Sequence, residues 1–355
     1  MHHISRFSTS LFGAEGSENC PDKKSGKGKD HSAVPFSLAV FAAQERRFHS
    51  ACRSLYRGHQ TRIAPIPDCP AVQPCLRQYP EVSALFPELR ETLSKTSCND
   101  KIPQVEISVA DNATVMIVRH LETFIQDDLD LLTEFAKRND LQLFLQPGNL
   151  KSVHPLYPAK PDPLYYDFKE FDVRVEFLPT DFIQVNAGIN DKLVSKTIDL
   201  LDLQEDDRVL DLFCGVGNFT LPLARRSKHV VGVEGDQALV NRAIHNRKIN
   251  NLEEVEFHFG DLFKEDMTST SHGDWLDQKF DKILLDPPRS GAAEMIKRLP
   301  VFEASKVVYV SCGPATLARD AGVMVNEHGY RMTYAGVIDM FPHTSHVESI
   351  AVFEK

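Results

Sequence analysis

The sequence predicts an α/β protein with a doubly covered parallel sheet over residues 181–355, preceded by a smaller α+β domain over residues 34–180. Three observations carry this expectation. After residue 180, short apolar runs alternate with helix-length stretches, the pattern of strands joined by helical crossovers. The first of those strands runs directly into Gly215-Val216-Gly217 and a helix, as a ligand-binding strand–turn–helix does. Before residue 180 the strands sit instead around a short turn and a Pro-rich loop.

In chain order, residues 1–33 are rich in Ser, Gly, Lys and His without apolar periodicity and read as a disordered tail. Residues 36–43 read as a strand. Arg46, Arg47, Arg53, Arg57 and Arg62 follow, interleaved with Phe48, His49 and Tyr56. Such a mixture can hold phosphates and stack bases, which makes this region a candidate RNA contact; a merely solvated basic face is the other reading. Residues 105–109 and 114–118 form an expected hairpin around Asp111-Asn112. A helix is expected over 127–138, a strand over 141–145 and a loop over 155–163. Beyond 180, helices are expected over 190–201 and 237–249. Strands are expected over 208–213, 229–234, 255–259, 280–285, 306–310, 331–334 and 349–353.

Composition bounds the function. With 355 residues, 42% hydrophobic and 25% charged, the chain can build two modest cores. A formal charge of −10 excludes a protein that coats nucleic acid through bulk electrostatics, though not one with a local basic surface. The longest apolar run, over 36–43, is too short to cross a bilayer, and the amino terminus lacks a signal pattern. The expectation is a cytoplasmic protein without membrane contact. Seven scattered cysteines suit reduced thiols rather than a disulfide framework.

The chemistry collects at strand ends. Glu234 closes the second strand, where its carboxylate can accept hydrogen bonds from ribose hydroxyls; with the Gly-x-Gly turn it indicates a nucleoside-containing cofactor. The third glycine of a dinucleotide fingerprint is missing, because Asn218-Phe219-Thr220 follows, which favours S-adenosylmethionine. Asp261 follows the third strand and is either an adenine contact or a cap. Asp286-Pro287-Pro288-Arg289 makes a rigid corner after the fourth. Cys312 ends the fifth, just before Gly313-Pro314 and a helix. A thiol there is expected to have its thiolate stabilised and to act as a nucleophile, unless it is a buried, inert cysteine. Glu348 reads as a general base or an exposed carboxylate. No metal is expected, since His343, His346 and Glu348 lack the spacing of a zinc helix.

Ser-Cys-Gly-Pro-Ala-Thr-Leu-Ala-Arg-Asp over 311–320 and Asp-Met-Phe-Pro-His-Thr-Ser-His-Val-Glu over 339–348 carry a specific resemblance. So do the runs over 181–188, 209–222, 232–234 and 284–291. Together they resemble the RNA uracil-C5 methyltransferases, above all those acting on 23S ribosomal RNA. The resemblance implies a Rossmann-like S-adenosylmethionine-dependent methyltransferase domain, with Gln184, Phe213, Asn218, Glu234, Asp261 and Asp286 at the cofactor. It makes Cys312 the nucleophile at C6 of a uridine and Glu348 the base that removes the C5 proton, yielding 5-methyluridine. The uridine in 23S rRNA must then be single-stranded or flipped out. The amino-terminal third departs from the family, whose members carry a TRAM barrel and a Cys-x5-Cys-x2-Cys run that holds a [4Fe–4S] cluster with a later cysteine. Only Cys69 matches that later cysteine, whereas Cys20, Cys52 and Cys75 do not form the run; no cluster is expected. The chain thus reads as a shortened member. A different rRNA or tRNA uridine as target, or an RNA-binding protein without activity, are the alternatives; protein partners are not specified.

Overall fold

A computed structural model describes residues 36–41, 80–184, 186–264, 273–340 and 347–355. The expected tail, the arginine-rich run, Cys69, His343 and His346 lie outside the described residues. The chain divides into two compact units. Among the described residues the first holds those up to Leu164 and 178–184, and the second holds 165–177, 186–340 and 347–355.

The first unit is built on a five-stranded sheet ordered β1 (Phe36–Phe41), β2 (Gln104–Val109), β3 (Thr114–Arg119), β4 (Leu141–Gln146) and β5 (His154–Tyr157). The expected hairpin forms, with Val105 opposite Val118 and Ala110 N–H donating to Ala113 O at 2.8 Å across the turn. β3 and β4 are parallel, joined by α2 (Gln126–Arg138), whose Leu132, Phe135 and Ala136 are fully buried. The loop expected over 155–163 carries β5, an edge strand, the place in a sheet where a proline such as Pro155 is tolerated. A helix not expected from the sequence, α1 (Pro80–Ser94), covers the sheet. Its buried Val82, Leu85, Phe86, Leu89 and Leu93 have helical spacing; the interruption is Pro87, which normally ends such a pattern.

The second unit contains a hairpin of β6 (Leu164–Phe168), from its second residue on, and β7 (Val173–Phe177), then α3 (Ala187–Leu201) and a seven-stranded sheet. Its strands are β8 (Arg208–Leu212), β9 (His229–Glu234), β10 (Val255–Phe259), β11 (Lys282–Leu285), β12 (Lys306–Ser311), β13 (Arg331–Ile338) and β14 (Glu348–Glu354). Spatial order is β10-β9-β8-β11-β12-β14-β13. The helices of this unit also include α4 (Thr220–Ala224), α5 (Gln237–Ile249), α6 (Ala293–Phe302) and α7 (Pro314–Asn326). Central strands are buried on both faces, which explains why Ile283-Leu284-Leu285 and Val307-Val308-Tyr309 read as continuous apolar runs. The expected parallel core is present in β10-β9-β8-β11-β12, and beside it β14 runs antiparallel to both β12 and β13. Nine residues, 339–347, separate it from β13, fewer than a crossover to a parallel strand needs, so it runs against its predecessor.

Parallel register then aligns the strand ends. Leu212 pairs with Val233 and with Leu285, and Leu285 pairs with Tyr309, so Phe213, Glu234 and Asp286 emerge side by side at the carboxyl edge. The loop after Asp286 is held by Asp320, 1% exposed. Its carboxylate accepts from Tyr309 O–H at 2.7 Å, Ala292 N–H at 2.8 Å and Arg319 Nε at 2.8 Å, while Arg319 Nη2 reaches Ser290 O at 3.1 Å. Asp320→Ala leaves the tyrosine hydroxyl and a buried amide without their acceptor. It is expected to cost about 3 kcal/mol, read as a lowered midpoint in urea denaturation.

Candidate active site

Backbone geometry opens the turn after β8. Phe213, Gly215 and Gly217 all have left-handed φ values of 68°, 56° and 96°. Phe213 bears the cost of that conformation as a non-glycine residue, the kind of strain that collects at ligand clamps. At Gly217 a Cβ would press on Leu221 at 3.1 Å, whereas at Gly215 nothing lies within 4 Å, so the turn faces open space. The fully buried Asn246 steadies it by donating to Val216 O at 3.0 Å.

Glu234, half-buried, faces this turn. Its Oε2 accepts Gly215 N–H at 3.1 Å and its Oε1 accepts Asp236 N–H at 3.0 Å, which leaves lone pairs on both oxygens for further donors. Burial raises its pKa, against the lowering effect of those backbone bonds. Beneath lies Asp211, wholly buried. Thr220 Oγ1 donates to its Oδ2 at 2.5 Å, and its Oδ1 has no partner. Burial, with a smaller push from Glu234, raises Asp211 to about 7. An open glycine turn, a carboxylate with spare acceptors and an orphaned buried oxygen fit a nucleoside-bearing ligand with donor groups.

Asn218 is tied into a network that the sequence reading did not include. Its Oδ1 accepts from Tyr166 O–H at 2.9 Å and Asn190 Nδ2 at 2.8 Å, and its Nδ2 donates to Asn190 Oδ1 at 3.1 Å. One N–H of Asn218 remains for a ligand. Asp261 acts as a cap: its Oδ1 accepts Phe263 N–H at 3.2 Å and its Oδ2 pairs with Lys264 at 3.3 Å. Gln184 is half-buried in the segment over 178–184, which belongs to the first unit, two residues before Asn186 caps α3 through Ile189 N–H at 3.2 Å.

The remaining residues meet around β12 and β14. Ser311 pairs with Ser349, so the next rung of the antiparallel ladder sets Cys312 opposite Glu348. Cys312 is half-buried and Glu348 is buried. Gly313 N–H donates to Ser311 Oγ at 3.0 Å, and Pro314 opens α7 at its first turn, which turns the chain away and leaves the thiol at the sheet edge. Thr316 Oγ1 donates to Arg289 O at 3.1 Å and joins this turn to the Asp-Pro-Pro-Arg corner.

Electrostatics here correct one expectation. Rather than being stabilised as a thiolate by the helix N-terminus, Cys312 is pushed up to about 11. Burial is the main cause, followed by the charges of Glu348 and Asp286, with Arg289 opposing. A thiolate loses water on burial and faces two carboxylates, which outweigh the end of one helix. Glu348 is itself raised to about 7 by burial, again opposed by Arg289. Asp286 is raised well above the usual carboxylate range by burial, then by Glu348 and Asp211. Arg289 is therefore the cation of this cluster. Its signal in the sequence was its place directly after Asp-Pro-Pro, at the sheet edge. Among the described residues, no group of His, Cys, Asp and Glu could hold a metal ion, and no helix is long and apolar enough to cross a membrane.

Comparison with known proteins follows the same residues. Positions 167–355 match the family described as tRNA (uracil-5-)-methyltransferase. A 23S rRNA (uracil(1939)-C(5))-methyltransferase RlmD of Xanthomonas campestris is 48% identical over 281 residues, covering 79% of this chain and 62% of the relative. The protein of that description from Methylococcus capsulatus is 46% identical over 301 residues, covering 84% and 66%. The chain thus spans less than two thirds of the length of these relatives. The crystal structure of a Pyrococcus abyssi tRNA (uracil-54, C5)-methyltransferase in complex with S-adenosyl-L-homocysteine shares the fold. It aligns with a TM-score of 0.59 at 22% identity, covering 77% of this chain and 66% of that one.

Glu348→Gln removes the largest charge contribution that raises the Cys312 thiol. Iodoacetamide labelling of Cys312, followed by peptide mass spectrometry, is expected to reach half-maximum at lower pH in this variant. Asp286→Asn should move it the same way by less, and no movement would show that the carboxylate does not act on the sulfur.

Proposed function

For a chain that belongs to the tRNA (uracil-5-)-methyltransferase family, we propose S-adenosylmethionine-dependent methylation of C5 of a uridine in 23S ribosomal RNA. Gln184, Phe213, Asn218, Glu234, Asp261 and Asp286 would hold the cofactor, and Cys312 and Glu348 would carry the chemistry. The observation that carries the reading is the pairing of Ser311 with Ser349, the neighbours of Cys312 and Glu348, together with the action of the Glu348 charge on the Cys312 thiol.

When bound, S-adenosylmethionine supplies an electrophilic methyl group on a sulfonium. The acidic groups Glu234, Asp286 and Glu348, with Asp211 buried beneath, suit a cationic ligand, and a positive charge there favours ionisation of the Cys312 thiol. The Cys312 sulfur adds to C6 of the uracil, and the C5–C6 electron pair moves through C4 to its oxygen, giving an enolate. C5 becomes nucleophilic and would take the methyl group, the electron pair of the broken C–S bond staying on sulfur so that S-adenosylhomocysteine leaves. Glu348 then removes the C5 proton; that electron pair reforms C5–C6 and expels the Cys312 sulfur. The sulfur must reach C6 from one face of the ring, perpendicular to its plane, which a stacked, paired base does not allow, so the uridine is taken flipped out or unpaired.

Incubation with a 23S rRNA transcript containing 5-fluorouridine is expected to give a covalent adduct through Cys312, because Glu348 finds no proton at C5. Cys312→Ala should abolish the adduct, and an adduct of undiminished yield in that variant would overturn the mechanism. Glu348→Gln should retain addition and lose about 10²–10⁴-fold in turnover. A tRNA transcript methylated in preference to the rRNA would overturn the substrate assignment.

The pH dependence has one sign. Glu348 becomes the carboxylate base as pH rises through about 7, and the Cys312 thiolate fraction grows all the way toward about 11. Transfer from labelled cofactor is expected to rise from about pH 6 to about pH 9, with the inflection near neutrality lost in Glu348→Gln.

A further inference from the structure

Phe263 is a large aromatic side chain left 51% exposed, and three features separate it from an incidental surface ring. Its ring lies 5.6 Å from that of Phe213, tilted by 51°. Phe213 is the residue held at a left-handed φ in the turn after β8. Phe263 follows β10, and β9 runs between those two strands, so the ring pair bridges the carboxyl end of β9, where Glu234 stands. Its backbone is fixed as well: Asp261 Oδ1 accepts its N–H, Lys264 N–H closes the turn onto Asp261 O at 3.1 Å, and Gly260 N–H donates to Glu234 O at 2.9 Å.

We propose that Phe263 forms the outer wall of the adenine site, stacking its exposed face on the base while Glu234 holds the ribose. The inference rests on the reading of S-adenosylmethionine as cofactor and adds to it a residue that the sequence motifs did not mark. A ribose hydrogen-bonded at the end of β9 presents its base within reach of the rings on either side of that strand, and base–aromatic stacking needs only an accessible π-face. Burying the exposed part of this ring against adenine favours binding without touching the methyl group or the uracil. Asp261 is on this account also a positioning residue, since its carboxylate fixes the turn that presents the ring.

Calorimetric titration of the full chain with S-adenosylhomocysteine tests this without reference to turnover. Phe263→Ala is expected to weaken binding by about 10-fold or more, with the same loss in KM for the cofactor and kcat essentially unchanged. Phe263→Tyr and Phe263→Trp should bind as the parent does. Phe263→Leu, which keeps apolar bulk without a π-face, should fall close to the alanine variant. Because the side chain is half exposed, all four variants are expected to melt as the parent does. If the parent binds and Phe263→Ala binds equally well, or if leucine restores full affinity, the stacking role is overturned. If the parent itself takes no S-adenosylhomocysteine, the cofactor reading fails instead.

Discussion

The antiparallel pairing of β14 with β12 is the constraint on which the site depends. It brings Glu348, the first residue of the last strand, level with Cys312, the residue after β12. Both groups lose water there, and each is held toward its protonated form: the thiol near 11, the carboxyl near 7. A cation bound beside this rung would favour the ionised form of both groups. Arg289 already opposes both shifts from the neighbouring corner.

Much of the surrounding sequence works to keep that edge in place. The Ala-Thr-Leu-Ala-Arg-Asp run after Cys312 is architectural in large part. Thr316 binds the backbone of Arg289, Arg319 reaches Ser290, and Asp320 gathers Tyr309, Ala292 and Arg319. The corner bearing Asp286 is thus locked to the helix that starts beside the nucleophile. On the other side, Asn246 secures Val216 O, and Asn190 with Tyr166 orients Asn218. These side chains hold residues expected at a ligand, and their loss would act through position rather than through contact.

Strand β9 and its neighbours show how register does the rest. Pairing of Leu212 with Val233 and of Leu285 with Leu212 brings residues from three separate segments into one row. Phe213, Glu234 and Asp286 leave the sheet at equivalent points, and the turn after β10 adds Asp261 and Phe263 beyond them. A flat ligand with a ribose and a base has its parts met by successive strand ends, the usual place for ligands in an open sheet of this kind.

What the sequence determined by itself was local. Apolar periodicity located β9, β10 and α5 because buried strands and amphipathic helices carry their signal within a few neighbouring residues. Hairpin chemistry at Asp111-Asn112 and the departure from a dinucleotide fingerprint at Asn218 were readable for the same reason. Helix α1 was hidden by Pro87, and the hairpin of β6 and β7 by brevity. Tertiary structure decided the direction of β14, the aromatic bridge between Phe213 and Phe263, and the raised thiol of Cys312. Each depends on groups distant in the chain, since strand order, ring contact and desolvation are properties of what packs together in space.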